Sequence, residues 1–293
     1  MASKPPPATE FALHGDDRPL VTKQELAACF SQLGVLRGAP VLVHSSLSSL
    51  GLVRDGADTV IDALLEVIGP DGLLIMPTHT WSTVGAKQPV FHETLSLSTT
   101  GVITEQLRKR PCAIRSLHPT HSVAALGRGA EQFCRGHELF NTPCARSSPY
   151  GRLVSAGGQV LLIGVGLESF TLMHAFEEWA EVPWLFDRTE ELFVITAAGA
   201  TFAVLSRRHT SDPHYEERDF PSLEPVLRER AAMKYGRIGN ADVRLVDAAS
   251  ACELLLPLIR ANPDIVLGPS AASNSYPGAS RPPGPHLAPA CSN

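Results

Sequence analysis

Apolar residues along this chain fall into two kinds of segment: short unbroken runs, and stretches that repeat at helical spacing. Thr22 and Glu25 stand at capping-box separation, and Leu26, Phe30 and Leu33 then recur at helical intervals until Gly34. Val41-Leu-Val-His44 reads as a short buried strand that feeds the loop Ser45-Ser-Leu-Ser-Ser-Leu-Gly51. Val60, Ile61, Leu64, Leu65 and Ile68 mark a second helix ending at Gly69, and Leu73-Leu-Ile-Met76 is the next strand, closed by Pro77. Strand, helix and strand within about 35 residues make a βαβ unit, which predicts two parallel neighbouring strands. A helix over about 101–110, a strand over 122–126, a short helix over 130–135 and the apolar run Val160-Leu-Leu-Ile-Gly-Val-Gly166 continue the alternation. A helix opens at Thr171. After Asp187 the rhythm changes, and 191–197 with 201–206 predict an antiparallel hairpin added to the sheet. One more strand over 243–246 and a helix capped by Asp247, with Leu254, Leu255, Leu256 and Ile259, complete the pattern.

Two stretches carry no periodicity: 79–98, and the charged, histidine-bearing 207–220. Loops of this length are more often functional than idle. The organisation expected is an N-terminal arm over 1–18, one α/β domain over 19–267, and a Pro/Gly/Ser/Ala-rich tail over 268–293 whose composition cannot offset its ordering entropy. With 293 residues, 44% of them hydrophobic, the chain can bury a sizeable core. A net charge of -5 argues against nucleic acid or an anionic membrane as partner. No segment approaches the roughly 18 uninterrupted apolar residues of a membrane span, so a cytoplasmic protein is expected. The six cysteines form no Cys-x-x-Cys pair, and reduced thiols are expected.

Candidate chemistry centres on Thr171-Leu-Met-His-Ala-Phe-Glu-Glu-Trp-Ala180, placed where open α/β sheets put their sites, beyond the carboxyl end of a strand. Glu177 and Glu178 follow His174 at i+3 and i+4, the positions that share a helix face, and a histidine oriented by a carboxylate is a general base. The same spacing fits a structural histidine beside two solvated glutamates. His44-Ser45-Ser46 fits either a phosphate-holding loop or a plain turn. Cys144 is either a nucleophile with His174 as its base or an inert turn residue. His118 and His121 suggest a metal pair by count. However, Pro119 disfavours helix at His118 and no carboxylate or Cys completes a tetrahedral set, so no metal is expected there, nor at His209 and His214.

Taken in order, Val41–Gly51, Gly69–Thr78, Arg115-Ser-Leu-His-Pro119, Ser148-Pro149, Val160–Gly166 and Thr171-Leu-Met-His174 with Glu177 resemble the aminoglycoside 3-N-acetyltransferase family across about residues 20 to 262. The resemblance implies a three-layer α/β/α sandwich with a mainly parallel central sheet, and acetyl-coenzyme A as acetyl donor to an amine. It implies His174 as base with Glu177 behind it. It places His44, Ser45, Ser46, Leu47, Ser48, Thr78, Arg115, Ser116, Ser148 and Pro149 along the coenzyme. For direct transfer, backbone N–H groups of the Ser45 loop or the Thr78 turn are the expected oxyanion donors. Trp81, His118, His121, Glu178, His209, Asp212 and His214 are the expected acceptor-side residues. Two departures stand out: Trp81–Val90 has no carboxylate and carries Lys87, and the late acidic cluster is reduced to Asp212, Glu216, Glu217 and Asp219. These features resemble a branch of the family not specialised for aminoglycosides. The partners expected are a small-molecule amine and, as an assembly, a homodimer. The rival readings are a ping-pong route through Cys144 and a coenzyme-binding module without catalysis.

Overall fold

A computed structural model of the protein describes residues 18–212, 215 and 217–268. His214 and Glu216, the arm before Arg18 and the tail after Gly268 lie outside the described residues.

The central sheet grows from its most apolar runs. β2 (Pro40–Ser45), β4 (Leu73–Pro77) and β8 (Gln159–Ile163) lie side by side, with β2 parallel to both neighbours. Alternate residues of these strands enter two separate apolar clusters. Val41, Val43, Leu74, Met76, Leu161 and Ile163 join α1 (Lys23–Leu33), α3 (Ala57–Ile68) and α4 (Val102–Arg108). Leu42, Ile75 and Leu162 join α6 (Pro149–Ser155), α7 (Leu172–Trp179) and α9 (Ala248–Ala261). Strands buried on both faces read as continuous apolar runs, which is why the βαβ unit was legible. The capping box forms as well: Thr22 Oγ1 accepts from the Glu25 N–H, and Gly34 ends α1 in the left-handed region at φ 102°.

Outside these three strands the sheet differs from expectation. Its order is β11-β12-β8-β2-β4-β7-β6, and β7 (Val123–Gly127), β6 (Ile114–Arg115), β12 (Ala241–Asp247) and β11 (Met233–Ile238) all pair antiparallel, so the sheet is mixed rather than mainly parallel. The predicted hairpin is real, as β9 (Phe186–Ile195) and β10 (Thr201–His209), but it is not added to the central sheet. It pairs with β5 (Val90–His92), inside the stretch expected to be a loop, and this small sheet has its own apolar cluster of Val84, Phe91, Leu192, Val194 and Val204. The remaining pieces are β1 (Leu20–Val21) paired to β3 (Leu52–Val53), α2 (Leu47–Leu50), α5 (Ala130–Cys134) and α8 (Glu224–Glu229). Among the described residues no helix is long and apolar enough to cross a membrane.

Candidate active site

The three parallel strands end at one cleft of about 780 Å³. β2 contributes Val43, His44 and Ser45, β4 contributes Pro77, and Val165 follows β8. The 3-10 turn Leu167–Ser169 and α7 close one side with Phe170, Thr171 and His174; β9 and β10 close the other with Arg188, Arg208 and His209. A second pocket of about 480 Å³, lined by Arg18, Ser45–Ser48, Gly51 and Gly101, adjoins it through the shared Ser45. Gly164 lets these parts meet: at φ 65°, a Cβ there would stand 2.4 Å from the Cβ of Ser49, which hydrogen-bonds the Gly164 carbonyl.

His174 stands at the centre of the arrangement. Its Nδ1 lies 2.7 Å from Glu177 Oε2, and its side chain is 29% exposed while Glu177 is wholly buried. Burial alone would raise the Glu177 carboxyl. The hydrogen bond and charge of His174, together with Arg218, outweigh that and hold it below the ordinary value. Arg218 Nε donates to Glu177 Oε1 at 2.8 Å. An ionised carboxylate only accepts, so Nδ1 of His174 carries a hydrogen towards Glu177, and Nε2 is the ring nitrogen left for chemistry in the cleft. Thr171, where the helix was expected to open, has helical dihedrals (φ -55°, ψ -26°) and makes no side-chain capping bond, so the segment enters α7 from the 3-10 turn rather than through a cap.

Glu178, the alternative partner, turns away. Its Oε1 accepts the Cys144 N–H at 2.8 Å and lies 3.4 Å from His209 Nε2, and burial pushes its pKa up to about 8 against hydrogen bonds from Thr142 and Cys144. Neither glutamate is solvated: their side chains are 0% and 5% exposed. Cys144 is fully buried, does not line the cleft, and has its thiol pushed well up by burial and by Glu178. It cannot supply a thiolate to the cleft.

Several residues expected along the coenzyme do not line either pocket. Thr78 is fully buried: its N–H donates to Ser122 O at 2.7 Å, so it offers nothing to an oxyanion. Arg115 is 6% exposed and donates to Thr78 O at 2.9 Å, Glu93 O at 3.0 Å and Ser122 Oγ at 3.1 Å while lying over Phe91. Burial lowers it to about 9, and its donors hold the 79–98 stretch onto β4. Ser116 Oγ pairs with His137 Nδ1 and accepts the Val123 N–H. Ser148 and Pro149 begin α6, buried and away from both pockets.

His44, Ser45, Ser46, Leu47 and Ser48 do line the two pockets. Of the residues expected to meet the acceptor, Trp81, His121 and His209 line the cleft, with Trp81 53% exposed. His118 is fully buried beneath it; Asp212 is exposed beside the lining residue Ser211. Among the described residues no group of His, Cys, Asp and Glu is arranged to hold a metal. The residues that sequence reasoning missed are Arg188, Arg208, Arg218 and Glu168. Arg188 and Arg208 face each other across β9 and β10, and Arg218 follows them; Arg208 and Arg218 lie in the charged 207–220 stretch, where composition alone did not say which side chains would reach the cleft.

The chain matches the family model described as aminoglycoside 3-N-acetyltransferase over residues 42–259. It is 33% identical over 257 residues to aminoglycoside N(3)-acetyltransferase VII of Streptomyces paromomycinus, a match covering 78% of this chain and 88% of that protein. It superposes on AAC-IIIb in its binary complex with CoASH with a TM-score of 0.72 and 29% identity, covering 86% and 99% of the two chains. A mutant of aminoglycoside acetyltransferase AAC(3)-IVa in complex with a gentamicin superposes with a TM-score of 0.75 and 30% identity, over 87% and 95%.

Proposed function

The chain belongs to the aminoglycoside 3-N-acetyltransferase family, and from that premise we propose that it transfers the acetyl group of acetyl-coenzyme A directly to the amine of a small molecule, with His174 as general base. The observation that carries this reading is the His174–Glu177 pair, held at 2.7 Å on the wall of a cleft at the strand ends. The layered reading of the fold goes with it, supported by the two apolar clusters that alternate residues of the central strands enter.

The residues present fit the coenzyme. Ser45 stands where the two pockets join, and Ser46, Leu47 and Ser48 continue along the second of them. The Ser46 N–H is committed to Ile163 O, which leaves Leu47 and Ser48, the first residues of α2, to offer N–H groups that have no preceding helical carbonyl.

An amine at pH 7 is mostly protonated and must lose a proton before or as its nitrogen attacks the thioester carbonyl. His174 Nε2 takes that proton, and Glu177 keeps the ring in the accepting tautomer and stabilises the imidazolium that forms. Arg218 in turn holds Glu177 ionised. The N–C bond forms, the C–S bond breaks, and the coenzyme leaves as thiolate, which takes up a proton. The buried Cys144 thiol supports direct transfer over a covalent relay.

Replacing the base tests the reading. His174→Ala should lower kcat by about 10²–10⁴ while the Kd for acetyl-coenzyme A stays near that of the wild type. A variant that keeps wild-type kcat with a good acceptor would remove His174 from the mechanism.

A further inference from the structure

The acceptor side of the cleft presents guanidinium groups where a polycationic acceptor would need carboxylates. Among the described lining residues Glu168 is the one acid, and its Oε1 already accepts the Gly166 N–H at 2.6 Å. The acids that pair with the arginines do not themselves line the cleft: Glu177 on Arg218, and Asp187 and Glu190 on Arg188. Loop 81–90 adds Lys87 and no acid.

The donors of these arginines are not all used. Arg208 is structural, since its Nη1 and Nη2 donate to Val84 O and Trp81 O and so fix the loop to β10. Arg188 commits Nε to Glu190 and Nη1 to Asp187 and Ser211. Arg218 commits Nε to Glu177 and lies 4.6 Å over the Trp184 ring. Arg218 Nη1 and Nη2 and Arg188 Nη2 have no hydrogen-bond partner among the described residues, and none of the three is sealed from solvent. A guanidinium edge left open in a cleft matches the two oxygens of a carboxylate or phosphate, and it repels an ammonium. Arg218 and His174 grip opposite oxygens of one buried carboxylate. An anion held on Arg218 therefore lies beside the ring that must take the proton from the amine.

We propose that the acceptor is a small primary amine that also carries a carboxylate or phosphate, gripped by Arg218 and Arg188, and not a polycationic aminoglycoside. This rests on the acetyl-transfer reading above and names the substrate class of the same site.

The test uses the full chain with saturating acetyl-coenzyme A and follows thiol release. The acceptors are two matched pairs, glucosamine with glucosamine 6-phosphate and β-alaninamide with β-alanine, together with gentamicin as the polycation. In at least one pair the anionic member should exceed its neutral partner in kcat/KM by about tenfold or more, as expected for a charge-assisted contact. That advantage should shrink as ionic strength is raised. Arg188→Gln should lower the ratio of anionic to neutral kcat/KM by about tenfold, and the wild-type comparison stands even if this variant folds poorly. Gentamicin outperforming both anionic amines would overturn the proposal. So would an Arg188→Gln variant whose KM rises for acetyl-coenzyme A while the acceptor ratio is unchanged, because the arginines would then serve the coenzyme. Thiol release with gentamicin alone leaves acetyl transfer standing and sinks only the substrate class; no release with any amine sinks both.

Discussion

Glu177 and Glu178 are neighbours in sequence and differ completely in use. One turn after His174, Glu177 is drawn between that ring and Arg218 and stays ionised. Glu178 points the other way, where burial without an opposing cation leaves it proton-binding up to about 8. Spacing placed both acids on the face of His174, but spacing cannot tell which of i+3 and i+4 meets it. That choice is made by Arg218, 41 residues further on. Cys144 teaches the same point. Its backbone N–H holds Glu178 and its carbonyl accepts from Trp179 Nε1 at 2.8 Å, so the Thr-Pro-Cys-Ala segment clamps α7 and the thiol packs inward. Intact-mass measurement after incubation with acetyl-coenzyme A alone should therefore show the unmodified chain. A stable adduct of one acetyl group, mapped to Cys144, would restore the covalent route.

At the scale of elements, legibility followed burial. β2, β4 and β8 are buried on both faces, so their runs Val-Leu-Val, Leu-Leu-Ile-Met and Val-Leu-Leu-Ile announced themselves, and their shared carboxyl ends located the cleft. β11 was missed because an edge strand needs little apolar content: Lys234, Tyr235 and Arg237 face solvent along Met233–Ile238. β5 was missed because three residues are too few to show alternation, and it exists only because the 186–209 hairpin pairs with it. The hairpin itself was legible; its destination was not, since pairing to a distant strand leaves no local trace. Arg115 stands in a family motif that points to the coenzyme. Its contacts are instead the carbonyls of Thr78 and Glu93, brought together only in the folded chain. Helices α1 and α9, with caps at Thr22 and Asp247, were legible to the residue at their starts because capping chemistry is local.

At the scale of the whole molecule, seven histidines are packed beneath and around the cleft. His174 lies 4.8 Å from His209, His209 5.7 Å from His121, His121 4.7 Å from His79, and His118 4.8 Å from His137. Burial lowers His44 and His209 to about 3 and His137 to about 4, and it carries His79, His118 and His121 well down, helped by their mutual repulsion. Unfolding returns each to an ordinary value near 6.5. Between 6.5 and about 4 the unfolded chain thus binds more protons than the folded one, and stability falls as pH falls through that window. Each proton taken up is worth about 1.4 kcal/mol per pH unit. Glu178 acts with the opposite sign, its stabilisation being lost as pH rises through about 8, but it is one group against six. Circular dichroism should therefore show a steep acid transition between about pH 6 and 4, with uptake of several protons. A broad loss spread over one proton would mean that the histidines are solvated. The central claim concerns acetyl transfer to an amine, and the most direct measurement of it is coenzyme thiol release from acetyl-coenzyme A with and without acceptor, paired with mass analysis of the acceptor. The account predicts release that requires both wild-type protein and an amine, in equal amount to an N-acetylated product. Release at the same rate with no amine, or a protein that binds the coenzyme and releases none with any amine, would contradict it.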